Sequence, residues 1–268
     1  MEIPRSAGIL VHPSSLPGPY GIGDLGANTR RFIEVIADAG FSWWQILPLN
    51  PPDFLGSPYS SNSAFASDTA LIDLDALIDL GWLEAEELDP LLEAVEGEAE
   101  DEVLIETVPA IKRSILGAAH VRFLETDSEA ADFQAFCHEN AYWLEDWALF
   151  SALKEAFSHA DWRTWPAALV RRDSEALEAA SKEHATAVSL AKFSQWVFSR
   201  PWEDLRGFAS ELGVKIIGDI PIFVAMDSVD VWANRDVFEV DVAGKASDVA
   251  GVPPDYFSEF GQLWGNPL

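Results

Sequence analysis

The residues able to do chemistry in this 268-residue chain gather toward its end. Residues 214–222 read VKIIGDIPI, and Asp219 stands where an apolar, β-branched run gives way to Gly, Asp and Pro. Such a run reads as a parallel strand buried on both faces. The carboxyl ends of parallel strands are where α/β proteins collect ligands and catalytic groups. Asp219 is thus either a site carboxylate or a cap for the turn that follows. Residues 251–268, GVPPDYFSEFGQLWGNPL, add Asp255, Tyr256, Phe257, Gln262, Trp264 and Asn266 in a stretch with little helical or strand period. A connection of that length without structure of its own is a lid, a binding loop or disordered. Aromatic faces beside amides and a carboxylate suit a sugar: its C–H face stacks on a ring, and its hydroxyls take planar hydrogen bonds.

The elements that must position these groups begin near the start of the chain. Residues 7–11 (AGILV) read as a short strand, and the Pro, Gly and Ser of residues 12–20 as a loop. Residues 28–39 place Phe32, Ile33, Val35, Ile36 and Ala39 at helical spacing, with Gly40 as the stop. Residues 41–49 (FSWWQILPL) form the next strand candidate, ended by Pro48 and by Asn50-Pro51-Pro52. Strand, helix, strand in about forty residues is a βα unit plus its next strand, as a parallel sheet requires. The following loop carries Ser57 and Tyr59 among Pro, Ser and Asn. Tyr59 is poorly placed for a core and reads as a half-buried loop tyrosine or as a stacking surface.

From residue 68 to residue 200 the pattern turns helical. Residues 108–124 are helical, residues 132–157 carry a stripe of Phe133, Phe136, Asn140, Trp143, Leu144, Trp147 and Phe150 that reads as core, and residues 173–199 form a long helix ending before Pro201. Residues 84–101 are an acidic, solvated patch. The expected organisation is therefore residues 1–67 with the first strands and a substrate loop, residues 68–200 as a helical insertion, and residues 201–268 with the third strand and a lid.

Composition narrows the partners. With 45 Asp and Glu against 17 Lys and Arg, the chain carries a net charge of −28. That field repels phosphates, which argues against nucleic acid or an anionic membrane and favours a neutral ligand. Strong acidity also fits adaptation to salt or simple solubility. Cys137 is the single cysteine, so no internal disulfide forms and a reducing compartment is expected. The first residues, MEIPRS, contain no apolar signal core, and no run of about 18 apolar residues is present; the expected setting is cytoplasmic.

Several tempting motifs fail on their context. Gly21-Ile22-Gly23-Asp24-Leu25-Gly26 matches G-x-G-x-x-G, but nine loop residues, three of them Pro, separate it from the strand. A pyrophosphate fingerprint needs its first glycine in the tight turn directly after the strand. The five histidines are scattered, without H-E-x-x-H or a Cys/His cluster, so no metal or other cofactor is expected. His12, at a strand end, reads either as a ligand contact or as a structural hydrogen bond to its loop.

Taken together, GILVHPSSLPGPYGIGDLG (8–26), WWQILPLNPP (43–52), GSPYSSNSAFA (56–66), GDIPIFVAMDSVDVW (218–232) and residues 251–268 closely resemble the amylomaltases, the 4-α-glucanotransferases of glycoside hydrolase family 77. The resemblance implies an α/β fold, the N-terminal part of a (β/α)8 TIM barrel with a large inserted helical subdomain. It implies transfer of α-1,4-glucan segments between maltooligosaccharides, amylose or starch chains. On it, Tyr59 matches a tyrosine that stacks on sugar near the cleavage point, with Ser57 in the same loop. Asp219 matches an active-site aspartate that supports substrate and catalytic groups by hydrogen bonding. Asp255, Tyr256, Phe257, Gln262 and Trp264 match a loop covering the glucan groove. Phe54 stands near the place where some relatives carry a tyrosine of an accessory glucan site.

The same resemblance implies what these residues lack. A retaining mechanism needs a nucleophile and an acid/base about 5 Å apart, and in this family both follow the lid motif. About three of the eight barrel strands are represented. The expectation is an N-terminal portion that is inactive alone, whose partner is the C-terminal part of the same enzyme. The rival readings are a non-catalytic glucan-binding accessory module and an α-amylase-type hydrolase.

Overall fold

The computed structural model describes residues 5–52, 56–98, 102–126 and 129–268. In chain order the elements are β1 (Gly8–Leu10), α1 (Ala27–Asp38), β2 (Trp43–Gln45), α2 (Asp75–Asp79), α3 (Asp89–Val95), α4 (Val108–Glu125), α5 (Ala130–Glu139), α6 (Ala141–Ala156), α7 (Ala167–Arg171), α8 (Ser174–Glu183), α9 (Ala185–Glu211), β3 (Lys215–Ile217), α10 (Val229–Ala233), β4 (Val249–Val252) and β5 (Gln262–Pro267). They divide into two units. One comprises the described residues of Met1–Leu49, Ser67–His138 and Phe193–Asp219; the other comprises those of Asn50–Ala66, Glu139–Lys192 and Ile220–Leu268.

The first unit holds the parallel sheet β1-β2-β3. Gly8, Trp43 and Lys215 stand in one row, Ile9, Trp44 and Ile216 in the next, and Leu10, Gln45 and Ile217 in the third. Parallel strands joined by helices are what successive strands of a (β/α)8 barrel provide, and α2 to α9 lie between β2 and β3. The strands are shorter than their apolar runs, three residues each; Pro48 and Pro221 beyond them cannot donate to a ladder and bar its further extension.

Burial on both faces is not observed. Trp44 is fully buried, whereas Leu10 is 56% and Ile217 42% exposed. Side chains alternate across a strand, so Leu10, Gln45 and Ile217 share the face left open. Around Trp82, Phe123, Phe193 and Trp196 a core of rings packs with centroids 5.0–6.1 Å apart. Each buried ring contributes on the order of 2–3 kcal/mol.

The loop containing Gly21–Gly26 is a structural plug. A Cβ on Gly23 would collide with the carbonyl oxygens of Pro13 and Leu16, and Asp24 Oδ1 accepts from the Gly26 N–H at 3.0 Å. Asp24 faces Lys112 of α4, which is wholly buried. The Lys112 ammonium donates to the carbonyls of Ala70 (2.8 Å) and Ile72 (2.9 Å) and lies 3.9 Å from Asp24 Oδ2. Burial holds the Asp24 carboxyl up at about 6 and lowers Lys112.

Three helix boundaries differ from the sequence expectation. Residues 132–157 are two helices, α5 and α6, broken at Asn140, whose Oδ1 accepts from the Trp143 indole at 3.1 Å. No residue of α5 is fully buried, yet Phe133 packs on the core rings Phe123 at 5.4 Å and Trp196 at 5.5 Å, while in α6 Leu144 and Phe150 are the fully buried members of the stripe. The long helix after residue 173 breaks at His184 and then continues through Pro201. Phe193, Val197, Leu205 and Ala209 all lie buried on one face across the proline. Packing on both sides holds the helix where the missing N–H would end it.

In the second unit Phe150, Trp165 and Trp232 form a mutual ring cluster at 5.5–5.8 Å. Residues 251–268 are not a structureless loop. β4 and β5 pair antiparallel, Val252 opposite Gln262 and Gly251 opposite Leu263, with an irregularity between Val249 and Gly251.

Candidate functional site

The parallel register puts the carboxyl ends of β1 and β3, the two outer strands of the sheet in the first unit, at the same end of it. His12 and Asp219 each stand two residues beyond their strands. The His12 ring is committed to its loop. Its Nδ1 accepts from the Ser14 N–H (3.2 Å) and pairs with Ser14 Oγ (2.7 Å), while Nε2 lies 3.3 Å from the Pro48 carbonyl. That pattern assigns the proton to Nε2, and burial lowers the ring's affinity for a second one. The structural reading of His12 is the one observed. Asp219 is exposed, just past the strand end.

The second unit holds the other candidate residues. In the loop after residue 56, Ser57 Oγ accepts from the Tyr59 N–H at 3.3 Å, and the Ser60 N–H returns to the Ser57 carbonyl at 3.2 Å. This turn presents Tyr59 at 47% exposure. Buried polar groups anchor the loop behind it. Ser61 Oγ bonds the carbonyls of Pro51 (2.9 Å) and Ser63 (2.6 Å), and Ser63 Oγ accepts from the N–H groups of Phe65 and Ala66. Asp230 Oδ2 accepts from the Ala64 N–H at 2.9 Å. Burial pushes the Asp230 carboxyl up.

The β4–β5 ribbon carries the remaining candidates. Asp255 Oδ1 accepts from the N–H groups of Phe257 (2.9 Å) and Ser258 (2.8 Å), so this carboxylate shapes the tip. Gly261 closes the turn at φ +73°, where a side chain would be strained. Tyr256 and Phe257 meet edge-on at 5.7 Å and are 97% and 87% exposed. Gln262 Oε1 accepts from the Trp264 indole at 3.0 Å, and Trp264 meets Phe223 edge-on at 6.1 Å.

Val224 ties loop and ribbon together. It bridges Ser61 in parallel, and its carbonyl accepts from Asn266 Nδ2 at 2.8 Å. The structure therefore connects Ser57 and Tyr59 with Gln262 and Trp264 through one backbone segment, and pairs Tyr256 with Phe257 at the tip. Asp219 belongs to the other unit, and Phe54 lies outside the described residues.

Sequence reasoning missed the anchors. Asp227 receives Lys154 Nζ at 2.6 Å and the Trp162 N–H at 3.2 Å, Phe223 supports Trp264, and Asp230 holds the loop. The available signal was Ser228, whose Oγ caps α10 by accepting from the Val231 N–H; a Ser ahead of Val-Asp-Val-Trp is a helix-start pattern.

What this arrangement can do is hold a neutral, ring-shaped, hydroxyl-bearing ligand: exposed ring faces sit on a bonded frame, with amide and hydroxyl groups beside them. Comparison with known proteins agrees in kind. A family model described as 4-alpha-glucanotransferase matches residues 11–268. A 4-alpha-glucanotransferase of Thermus thermophilus is 46% identical over 100% of this chain and 52% of its own length. A chloroplastic/amyloplastic 4-alpha-glucanotransferase of Solanum tuberosum is 41% identical over 98% of this chain and 46% of its own length. The solved amylomaltase of Streptococcus agalactiae in complex with acarbose superposes with a TM-score of 0.93 at 35% identity, over 98% of this chain and 53% of that one. The chain thus spans about half the length of the curated relatives it matches.

Proposed function

The chain belongs to the 4-alpha-glucanotransferase family, glycoside hydrolase 77, and from that premise we propose that it provides the glucan-recognition part of an enzyme transferring α-1,4-glucan segments between maltooligosaccharides or starch chains. The observation that carries the reading is the bonded frame Ser61–Val224–Asn266, which fixes the roots of the Tyr59 loop and of the ribbon. Tyr59 and Trp264 stack on glucose rings, with Tyr256 and Phe257 closing over the chain. Gln262, Ser57 and Asp255 bind hydroxyls. In the first unit, Asp219 accepts hydrogen bonds from sugar hydroxyls and supports the catalytic groups.

The chemistry we assign to the protein at its natural length is a retaining double displacement. A carboxylate attacks the anomeric carbon while an acid protonates the leaving oxygen; a sugar 4-hydroxyl then displaces the enzyme. Neither carboxylate is assigned among these 268 residues, and the remainder of the protein is the proposed partner. Covering rings keep water from the intermediate, which favours transfer over hydrolysis. We further propose residues 68–200 as a helical insertion between strand-bearing segments 1–67 and 201–268, and a cytoplasmic setting. Among the described residues no helix is long and apolar enough to cross a membrane.

Incubation with maltotriose followed by product chromatography tests the activity. The protein at its natural length is expected to yield glucose together with longer maltooligosaccharides. Glucose and maltose without longer products would instead mark an α-amylase-type hydrolase. Residues 1–268 alone are expected to bind maltotriose without turnover; transfer by them would place the nucleophile inside this sequence and overturn that part of the proposal. Tyr59→Ala and Trp264→Ala should each lower kcat/KM about tenfold or more, as expected for losing a stacked ring.

A further inference from the structure

The chain passes from the first unit into the second between Leu49 and Asn50, and returns between Ala66 and Ser67. The segment in between, residues 50–66, is the one that presents Tyr59. Both of its roots are tied. Within the first unit, the Asp68 N–H donates to the Leu49 carbonyl at 2.7 Å. Within the second, Asn50 Nδ2 donates to the Ala66 carbonyl at 3.0 Å. Ser67 stands between these two bonds, and a single side chain grips its backbone. Gln195 Oε1 accepts from the Ser67 N–H at 2.8 Å, and Gln195 Nε2 donates to the Ser67 carbonyl at 3.0 Å. Exchanging both bonds with one residue is what a neighbouring strand does in an antiparallel ladder; here one amide does it. Gln195 lies in α9, is 3% exposed, and is flanked by the buried rings of Phe193 and Trp196. An amide packed this tightly has little room to turn and a high cost for an unmade bond. The position of Ser67 is therefore set by α9.

We propose that Gln195 is a positioning residue for Tyr59: from α9 it fixes, through Ser67, the limb on which the Tyr59 loop stands. The inference rests on the glucan reading given above, in which Tyr59 stacks on a sugar. Ser67 is eight positions from Tyr59, and a continuous set of bonds carries the constraint back along them. The Ala66 N–H donates to Ser63 Oγ at 3.0 Å, and Ser61 Oγ bonds the Ser63 carbonyl at 2.6 Å. The Asn62 N–H reaches the Pro51 carbonyl at 3.3 Å, and the Ser60 N–H closes the turn under Tyr59 on the Ser57 carbonyl at 3.2 Å. With Gln195 in place the ring is held ready for the sugar. Without it the N–H and carbonyl of Ser67 lose their partners, and the limb gains freedom that binding must remove again. Small displacements of a substrate-positioning group are enough to weaken catalysis.

The test uses the protein at its natural length, with transfer from maltotriose followed well below the unfolding temperature. Gln195→Met keeps an unbranched side chain of similar size and removes both bonds. It should lower kcat/KM about three- to tenfold, with the loss in KM, because a loosened limb weakens the hold on the sugar. A merely structural role would instead reduce the fraction of folded enzyme, which lowers kcat and leaves KM unchanged. In a Tyr59→Ala background the same substitution should cost less than about twofold, since residues that act as a unit do not add. Gln195→Asn, which draws the amide back by one methylene, repeats the cycle if Gln195→Met does not fold. Hydrogen exchange on the unaltered protein needs no variant: the Ser67 N–H should exchange slowly, and exchange as fast as in an open loop would overturn the inference. An unchanged KM, or equal losses with and without Tyr59, would overturn it too. Each of these results leaves the proposed function standing, provided the unaltered protein disproportionates maltotriose and Tyr59→Ala impairs it. Failure of the unaltered protein to transfer, or full activity of Tyr59→Ala, would overturn the reading on which this inference rests, and the inference with it.

Discussion

Replacing Lys112 by Met tests how the first unit is held together. The ammonium is fully buried and bonded to two carbonyls, with Asp24 Oδ2 3.9 Å away. Methionine fills similar volume, so little of the loss is a cavity. What is lost is two charge-assisted hydrogen bonds, leaving the Ala70 and Ile72 carbonyls unpaired and Asp24 without its cation. Breaking a buried pair from one side costs about 3–5 kcal/mol, consistent with about 1.5–3 kcal/mol for each hydrogen bond to a charged group. At roughly 2–4 °C per kcal/mol for a chain of this size, Tm should fall by about 6–20 °C.

The pH dependence separates the ion pair from the carbonyl bonds. Asp24 is raised from its ordinary value to about 6 in the folded chain. A raised carboxyl stabilises the fold while protonated, and that contribution is lost as pH rises from the unfolded value near 4 through 6. Lys112 offsets the loss only where Asp24 is ionised. The deficit of Lys112→Met should therefore be larger at pH 7.5 than at pH 5, where mainly the two carbonyl bonds are missing. Urea denaturation followed by circular dichroism at both pH values reads this out. A deficit under about 1 kcal/mol, or the same deficit at both pH values, would refute the reasoning.

Three further outcomes follow from the anchors and helices. Asp230→Ala removes the acceptor of the Ala64 N–H and should cost about 1–3 kcal/mol, with faster amide exchange across residues 56–66; unchanged exchange would show the loop is held by other bonds. Pro201→Ala restores an N–H inside α9 and should raise urea stability by about 1–3 kcal/mol, a gain that would be absent if the ring itself packs favourably. The His12 ring, lowered by burial with Nδ1 accepting from Ser14, should titrate below its ordinary value by NMR. A normal or raised value would mean the ring is free of that bond.

The strands were legible because AGILV, FSWWQILPL and VKIIGDIPI are apolar runs bounded by Pro and Gly, and all three contribute to one parallel sheet. The ribbon was not. Gln262, Leu263 and Trp264 are all exposed, so no inside–outside alternation marks β5, and only the pairing partner reveals it. Lys112 was equally silent, since a lysine in a helix reads as solvated until Asp24 and two carbonyls are found beside it. The glycine-rich stretch rejected as a phosphate loop contains that Asp24. Pro201 misled for a different reason: local propensity argued for an end, and the buried face from Phe193 to Ala209 outweighed it.

The anchors of the second unit explain how it can expose so much ring surface and still be ordered. Stacking on a sugar repays little if the ring must first be immobilised. Tyr59 stands on a segment fixed by Ser61, Ser63 and Asp230, and Trp264 is fixed by Gln262 and Phe223. The freedom these rings could lose on binding has already been removed by folding. Tyr256 and Phe257 differ: among the described residues the tip that carries them is held by its own turn, through Asp255 and Ser258. On the proposed function, the fixed rings would set where a glucan chain lies, and the tip rings would lose mobility on contact. That division suits the proposed transfer, in which a chain must stay held while its end is exchanged.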